Sequence, residues 1–264
     1  MLAKGNISYS DGNAEAALAS YDRALSFINA DPGANPRTRA KILEQRGKSL
    51  MDLGRYDEAE LALEESNQLY RRFDGEQHFS TGLSHYNLAL LAYNAGKNDV
   101  AQGHIQKSLK IVSRVLDKTN PIRADVLSLQ GSIYIAQGRL DRADRALADS
   151  VSAYRAVYKG LHYNIGFSEF FRAQVATERG QIDAALAHLD AAQLNYEASY
   201  GKVHANIGEV LVTRADLLSR KGRLVEAVSE CSRGIAMLNQ TMGADSSFTK
   251  GLKETCDSIE RKRG

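Results

Sequence analysis

Tryptophan is absent from this 264-residue chain, proline occurs 3 times and cysteine twice. So little proline leaves long stretches free to stay helical, since each interior proline would remove a backbone donor and clash with the preceding turn. The two cysteines, Cys231 and Cys256, form no metal-ligand or redox spacing. Each falls on an apolar position of an expected helix and is read as a reduced core residue. No run approaches the roughly 18 apolar residues that span a bilayer. Residues 1–12 lack the charged start and apolar core of a secretory signal, so no membrane partner is expected and the default location is the cytoplasm. Without such a signal the sequons at 6–8 and 239–241 carry no weight. β-Branched residues never gather into alternating runs between turns, which removes the signal for strands. An excess of one charge is lacking as well: 34 Lys and Arg stand against 32 Asp and Glu, spread along the whole length. With no basic stripe, nucleic acid is not expected as a partner.

What the chain does have is a period. Glycine recurs every 42 residues at Gly12, Gly54, Gly96, Gly138, Gly180 and Gly222, each opening a Gly-x-x-x-x-Ala pattern. Seven residues earlier stand Gly5, Gly47, Ala89, Gly131, Ala173 and Ala215; five later stand Ala17, Ala59, Ala101, Ala143, Ala185 and Ala227. Twelve later come Ala24, Ser66, Ser108, Ser150, Ala192 and Gly234. If about a third of positions were small, three such columns would arise roughly once in 10⁸ trials, so the repeat is real. Small side chains let two antiparallel helices approach closely, and the glycine supplies a left-handed turn between them. Larger columns fill the remaining space: Tyr21, Leu63, Ile105, Leu147, Leu189 and Cys231, then Ile28, Tyr70, Val112, Tyr154, Tyr196 and Leu238. Their offsets from the small columns are three, four or seven, which puts them on one helical face.

These columns resemble the tetratricopeptide repeat (TPR), and the 42-residue length is similar to the longer variety found in kinesin light chains and many bacterial multi-repeat proteins. The loops DGEQH (74–78), KGLH (159–162) and YGKVH (200–204) resemble the Leu-Gly-x-x-His-Pro linker of that variety. The resemblance implies an all-α, right-handed superhelical solenoid of thirteen helices. Residues 1–247 would form a six-repeat array, and 248–264 a C-terminal capping helix with Leu252, Cys256 and Ile259 on its apolar face. Eleven residues before the turn glycine the family prefers a bulky apolar side chain. Met1, Leu43, Leu127 and Leu211 comply, whereas His85 and Glu169 depart from it and put the packing of the third and fifth hairpins in question. The first helix is shorter than its counterparts, as a minimal cap or a fragment of a longer chain would be, and Leu2 and Ile7 on it are expected to be under-covered.

Phosphate-loop, His-Glu-x-x-His and Gly-x-Ser-x-Gly motifs are all missing, and with a fold commonly used for binding this argues against an enzyme. No cofactor is expected. His78, His162 and His204 share a register with Pro36, Asn120 and Ser246. Stacked repeats hold equivalent residues about 10 Å apart, too far for two imidazoles to share one metal ion, so contacts at helix starts are expected. In resembling proteins the inner face of each first helix lines a concave groove. Here that face carries Tyr86, Asn87, Leu90, Tyr93 and Asn94 in the third repeat, Ser128 in the fourth, and Phe167, Phe170, Phe171 and Gln174 in the fifth. The amides suit a bound backbone and the rings suit apolar anchors, which calls for partly exposed side chains around one concavity. A basic clamp for a partner's C-terminal carboxylate is not expected, because Asp125 and Leu129 stand where it would need cations, although Lys41, Glu44, Gln45 and Lys48 leave mixed polar recognition open in the second repeat. The expected function is a scaffold binding a peptide of another protein. The alternative is a sensory or regulatory module of a larger bacterial protein, either responsive to a peptide or attached to a kinase or transcription-regulator domain, with the N-terminal side as the place for such an effector.

Overall fold

The computed structural model describes residues 2–31 and 33–263, and every regular element among them is an α-helix. Two compact units, Met1–Lys118 and Thr119–Gly264, divide the chain between the third and fourth repeats, inside what the sequence presents as one array. The first contains α1 (Leu2–Ser10), α2 (Ala14–Ala30), α3 (Pro36–Asp52), α4 (Tyr56–Phe73), α5 (Phe79–Asn94) and α6 (Asn98–Val115). In the second are α7 (Pro121–Ala136), α8 (Leu140–Val157), α9 (Tyr163–Glu178), α10 (Ile182–Tyr200), α11 (Ala205–Arg220), α12 (Leu224–Met242) and α13 (Ser247–Arg263). Within each unit every odd helix packs on the following even one, and each hairpin packs on the next, the layering of an α-solenoid. Helix α13 closes its unit against α11 and α12. Met1 lies outside the described residues.

The turns explain the glycine column. All six glycines have φ between 69° and 77°, a region side chains avoid. The following amide reaches back to the residue five earlier, as Arg55 N does to Leu50 O at 2.9 Å, a Schellman-type closure repeated in all six hairpins. The small columns sit where helices touch. A Cβ on Gly47 or Gly131 would stand 2.6 or 2.5 Å from Cγ of Leu63 or Leu147. A further small column, Ala40, Gly82, Ala124, Gly166 and Gly208, receives the large residue nearer the end of the partner helix; a Cβ on Gly208 would lie 2.8 Å from Leu238 Cγ.

The histidine register is a column of helix caps. Nδ1 of His78, His162 and His204 accepts the backbone N–H two residues on, each at 3.2 Å. Asn35 and Asn120 do the same with Oδ1 at 2.9 and 3.0 Å, each followed by proline at the first helical position. His162 and His204 also stack on Tyr158 and Tyr200, centroids 3.6 and 3.9 Å apart.

Two departures from the sequence reading have physical causes. Cys231 and Cys256 are not reduced: they form a disulfide between α12 and α13, Cα atoms 5.5 Å apart. Each is on the apolar face of its helix, and packing α13 on α12 brings those faces together. His85 and Glu169, the polar intrusions in an apolar column, are each met by a histidine eight residues past the turn glycine of the same repeat. His85 Nδ1 lies 3.1 Å from His104 Nδ1, and His188 Nδ1 lies 2.8 Å from a Glu169 carboxylate oxygen. Of the three repeats with leucine in that column, those of Leu43 and Leu127 carry Ala62 and Ala146 opposite, and that of Leu211 carries Glu230, paired with Arg214 and Arg233. The exchange of an apolar–small pair for a polar–histidine pair keeps the hairpin packed and the buried polar atoms bonded.

Candidate functional site

Tyr86, Leu90 and Tyr93 in the first unit are half-buried along α5, and Asn94 is exposed at its last residue. Asn87 corrects the sequence reading: it is only 3% exposed, and its Nδ2 donates to Glu44 Oε1 at 3.1 Å. Glu44 also receives Lys48 Nζ at 3.0 Å and the Tyr70 hydroxyl at 3.2 Å. That carboxylate stitches α3, α4 and α5 together, and the Asn87 amide is consumed inside the protein. The same holds for Ser128 in the second unit, which is 4% exposed. Its Oγ lies 3.1 Å from that of Ser168, which in turn lies 3.2 Å from the Ser150 hydroxyl, the donor to Ala124 O at 2.9 Å. Both residues present small polar groups where helices of adjacent repeats approach, and both are hydrogen-bonded within the fold.

The aromatic candidates of the second unit behave differently. Phe167 is 43% exposed, although a large apolar ring gains most by burial. Phe171 is half-buried, 4.7 Å from Phe167 and 6.0 Å from Phe170 in edge-on arrangements. Phe170 roots the group in a core containing Tyr196 and Val210, and Phe171 rests on another containing Ala143, Leu147 and Val175. Gln174, one turn beyond Phe170, is exposed. An exposed aromatic pair with an exposed amide beside it is therefore present on α9.

Two acids flank Phe167 in register, one repeat before and one after: Asp125 and Glu209, each thirteen residues ahead of its turn glycine. Asp125 accepts the Tyr154 hydroxyl, and burial pushes its carboxyl upward. Glu209, which sequence reasoning passed over, is half-buried on α11 and pushed up to about 7 by burial. No described side chain donates to it. Its alignment with Phe167 was the available signal, but burial of a carboxylate is decided by the helices around it.

Family models described as tetratricopeptide repeat match residues 80–156 and 40–73. No curated protein matches the sequence. A putative kinesin light chain of Podosopora anserina with nearly identical TPR-like repeats is 17% identical, over 78% of this chain and 97% of that one, with a TM-score of 0.65. A Rap protein complexed with competence and sporulation factor is 12% identical over 92% and 69%, with a TM-score of 0.68. The signal transduction ATPase with numerous domains from Pyrococcus horikoshii, which has a tetratricopeptide repeat sensor, is 14% identical over 100% of this chain and 38% of that one, with a TM-score of 0.72. At these identities the likeness is one of fold.

Proposed function

The chain carries tetratricopeptide repeats, and on that premise we propose that it is a non-enzymatic scaffold that holds a peptide segment of a partner protein on its first-helix faces. Phe167, Phe171 and Gln174 on α9 form the anchor for it within the second unit, and Tyr86, Leu90 and Tyr93 on α5 offer a separate face within the first. Asn87 and Ser128 support these faces from within rather than touching the ligand. The carrying observation is the exposed Phe167 ring packed edge-on against Phe171, apolar surface that a folded hairpin gains nothing by leaving in water. A Rap protein of similar fold is complexed with competence and sporulation factor, which supports a binding use of such repeats.

A peptide selected from a display library against the intact chain tests the proposal. Phe167→Ala and Phe171→Ala are expected to weaken it by about 1 to 3 kcal/mol each, with little change in melting temperature for Phe167→Ala. Undiminished affinity of both variants for every selected peptide removes the site. A second reading, a sensory module of a longer protein, is favoured by the match of the whole chain to 38% of an ATPase that has a repeat sensor. An effector domain encoded in frame with these repeats distinguishes that reading from a free-standing scaffold.

A further inference from the structure

The fourth repeat differs from its siblings at the turn edge. A cation follows the turn glycine at Arg55, Lys97, Arg139 and Arg223. In the second and sixth repeats a glutamate three residues on answers it. Arg55 Nε and Nη2 donate to Glu58 at 2.7 and 2.7 Å, and Arg223 to Glu226 at 2.7 and 2.6 Å. Lys97 reaches Glu60 at 2.8 Å. In the fourth repeat the glutamate position is Arg142. Three residues further, where the other repeats carry Ala19, Leu61, Gly103, Ala187 and Ser229, stands Arg145.

No carboxylate among the described residues pairs with Arg139, Arg142 or Arg145. Arg145 Nε donates to the backbone carbonyl of Asp141 at 3.1 Å, and the Arg142 guanidinium lies 6.0 Å from the Tyr134 ring. The nearby acids are taken by another helix: Arg179 bonds Asp141 at 2.6 Å and Asp144 at 3.2 Å, and Arg172 lies 3.4 Å from Asp144. With Arg179 and its partner Asp141, the three arginines line a shallow open cleft of about 500 Å³, four cations to one acid. Hairpin packing does not call for this arrangement, because the same registers are filled elsewhere by glutamate, alanine, valine, leucine, glycine and serine. Three gathered guanidiniums repel one another, and an incoming anion relieves that repulsion.

We propose that this arginine cleft on α8 docks an acidic segment of a partner protein, at a place separate from the aromatic face of α9. The guanidinium fork matches a carboxylate in two parallel bonds, the geometry that Arg55 and Glu58 already display in this chain. A peptide fits better than a nucleic acid, because the cluster is local and the chain as a whole is nearly neutral at +2, with no basic track for a phosphate backbone to follow.

The test is fluorescence anisotropy of the intact chain with labelled octaglutamate and octaglutamine peptides at low salt. Octaglutamate should bind and octaglutamine should not, and added salt should weaken the complex. Arg142→Glu rebuilds at this repeat the pair that Arg55 makes with Glu58, so it should keep the melting temperature and weaken octaglutamate by at least about tenfold. Arg145→Gln, a milder change, should weaken it severalfold, and Phe167→Ala should not affect it. Failure of octaglutamate to bind, equal binding of octaglutamine, or equal affinity of the parent and Arg142→Glu chains overturns the proposal. A single-stranded oligonucleotide of equal charge that displaces the peptide at lower concentration also overturns it, and assigns the cleft to nucleic acid.

Discussion

With Nδ1 atoms 3.1 Å apart, His85 and His104 can hold one proton between those two nitrogens but not two. His85 is pushed down to about 4, first by burial, then by the charges of His104, Lys107 and Arg71, with Glu76 opposing. Burial and Lys107 also lower His104. A histidine whose folded-state value is depressed favours the fold while neutral. That contribution is complete above the unfolded value of about 6.5 and is lost as pH falls from there toward about 4, by about 3 kcal/mol for His85. Replacing both residues, His85→Leu with His104→Ala, restores the leucine–alanine pairing of the second and fourth repeats. The double variant should match the parent in stability at pH 7 and show a flatter melting temperature between pH 6.5 and 4. His85→Leu alone strands a half-buried imidazole and should cost about 1 to 3 kcal/mol. Urea melts of the three chains across that pH range measure both effects. Glu169 has the same pH sense, but through its charged form rather than a neutral one. Burial pushes its carboxyl up, but the His188 hydrogen bond and the charges of Arg172 and Arg155 outweigh burial and hold it below the usual range, so its contribution is present at neutral pH and lost on acidification.

At the scale of the helix, each cap is a separable device. His162 Nδ1 must be unprotonated to accept the Asn164 amide, and burial lowers this histidine and His204. Both caps are therefore complete above about pH 6.5 and are lost as pH falls. His162→Ala should cost about 1 kcal/mol, and His162→Asn should recover most of it, since Asn35 and Asn120 cap α3 and α7 in the same way. Thermal melts at pH 7.5 compare the three, and equal loss in the Asn variant would show that stacking on Tyr158, not the cap, is what His162 contributes. Between helices the small columns can be probed by overfilling. Ala143 is fully buried in a cluster with Tyr134 and Ile135 of α7 and Val175 of α9, and Ala143→Leu should destabilise by about 1 to 3 kcal/mol. An unchanged melting temperature would mean that α7 and α8 part easily at that point.

At the scale of the molecule the disulfide is the one covalent tie beyond the backbone among the described residues. It joins residues 25 apart in sequence, a loop whose closure in the unfolded chain is worth about 3 kcal/mol. Reduction with dithiothreitol, or Cys256→Ser, should lower stability by that order and should first loosen α13, seen as faster hydrogen exchange over residues 247–263. Disulfides persist in oxidising compartments, whereas the sequence suggested the cytoplasm. Thiol titration of protein quenched directly from its own cell separates the two: no reactive thiol in the denatured chain places it in an oxidising compartment, and two place it in a reducing one. No described helix is long and apolar enough to cross a membrane.

Local chemistry repeated six times was enough to read the architecture from the amino-acid order. A left-handed turn admits glycine at little cost, two helices in close contact admit only small residues, and a helix start asks for an acceptor such as the His162 or Asn120 side chain. Each demand acts over a few neighbouring residues, so it marks the sequence at a fixed period. The aromatic face was legible for the same reason, as a stripe on α9. What only the tertiary structure decided involves partners from different helices. Asn87 and Ser128 share the stripe with Tyr86 and Phe167, yet contacts to Glu44 and Ser168 bury them. Cys231 and Cys256 each look like a core residue until α13 folds back on α12. Glu209 is an ordinary surface-type residue until the surrounding helices take its water away. Periodicity records the faces of a helix, but whether a side chain on such a face meets water, a ligand or another side chain depends on which helix packs across from it.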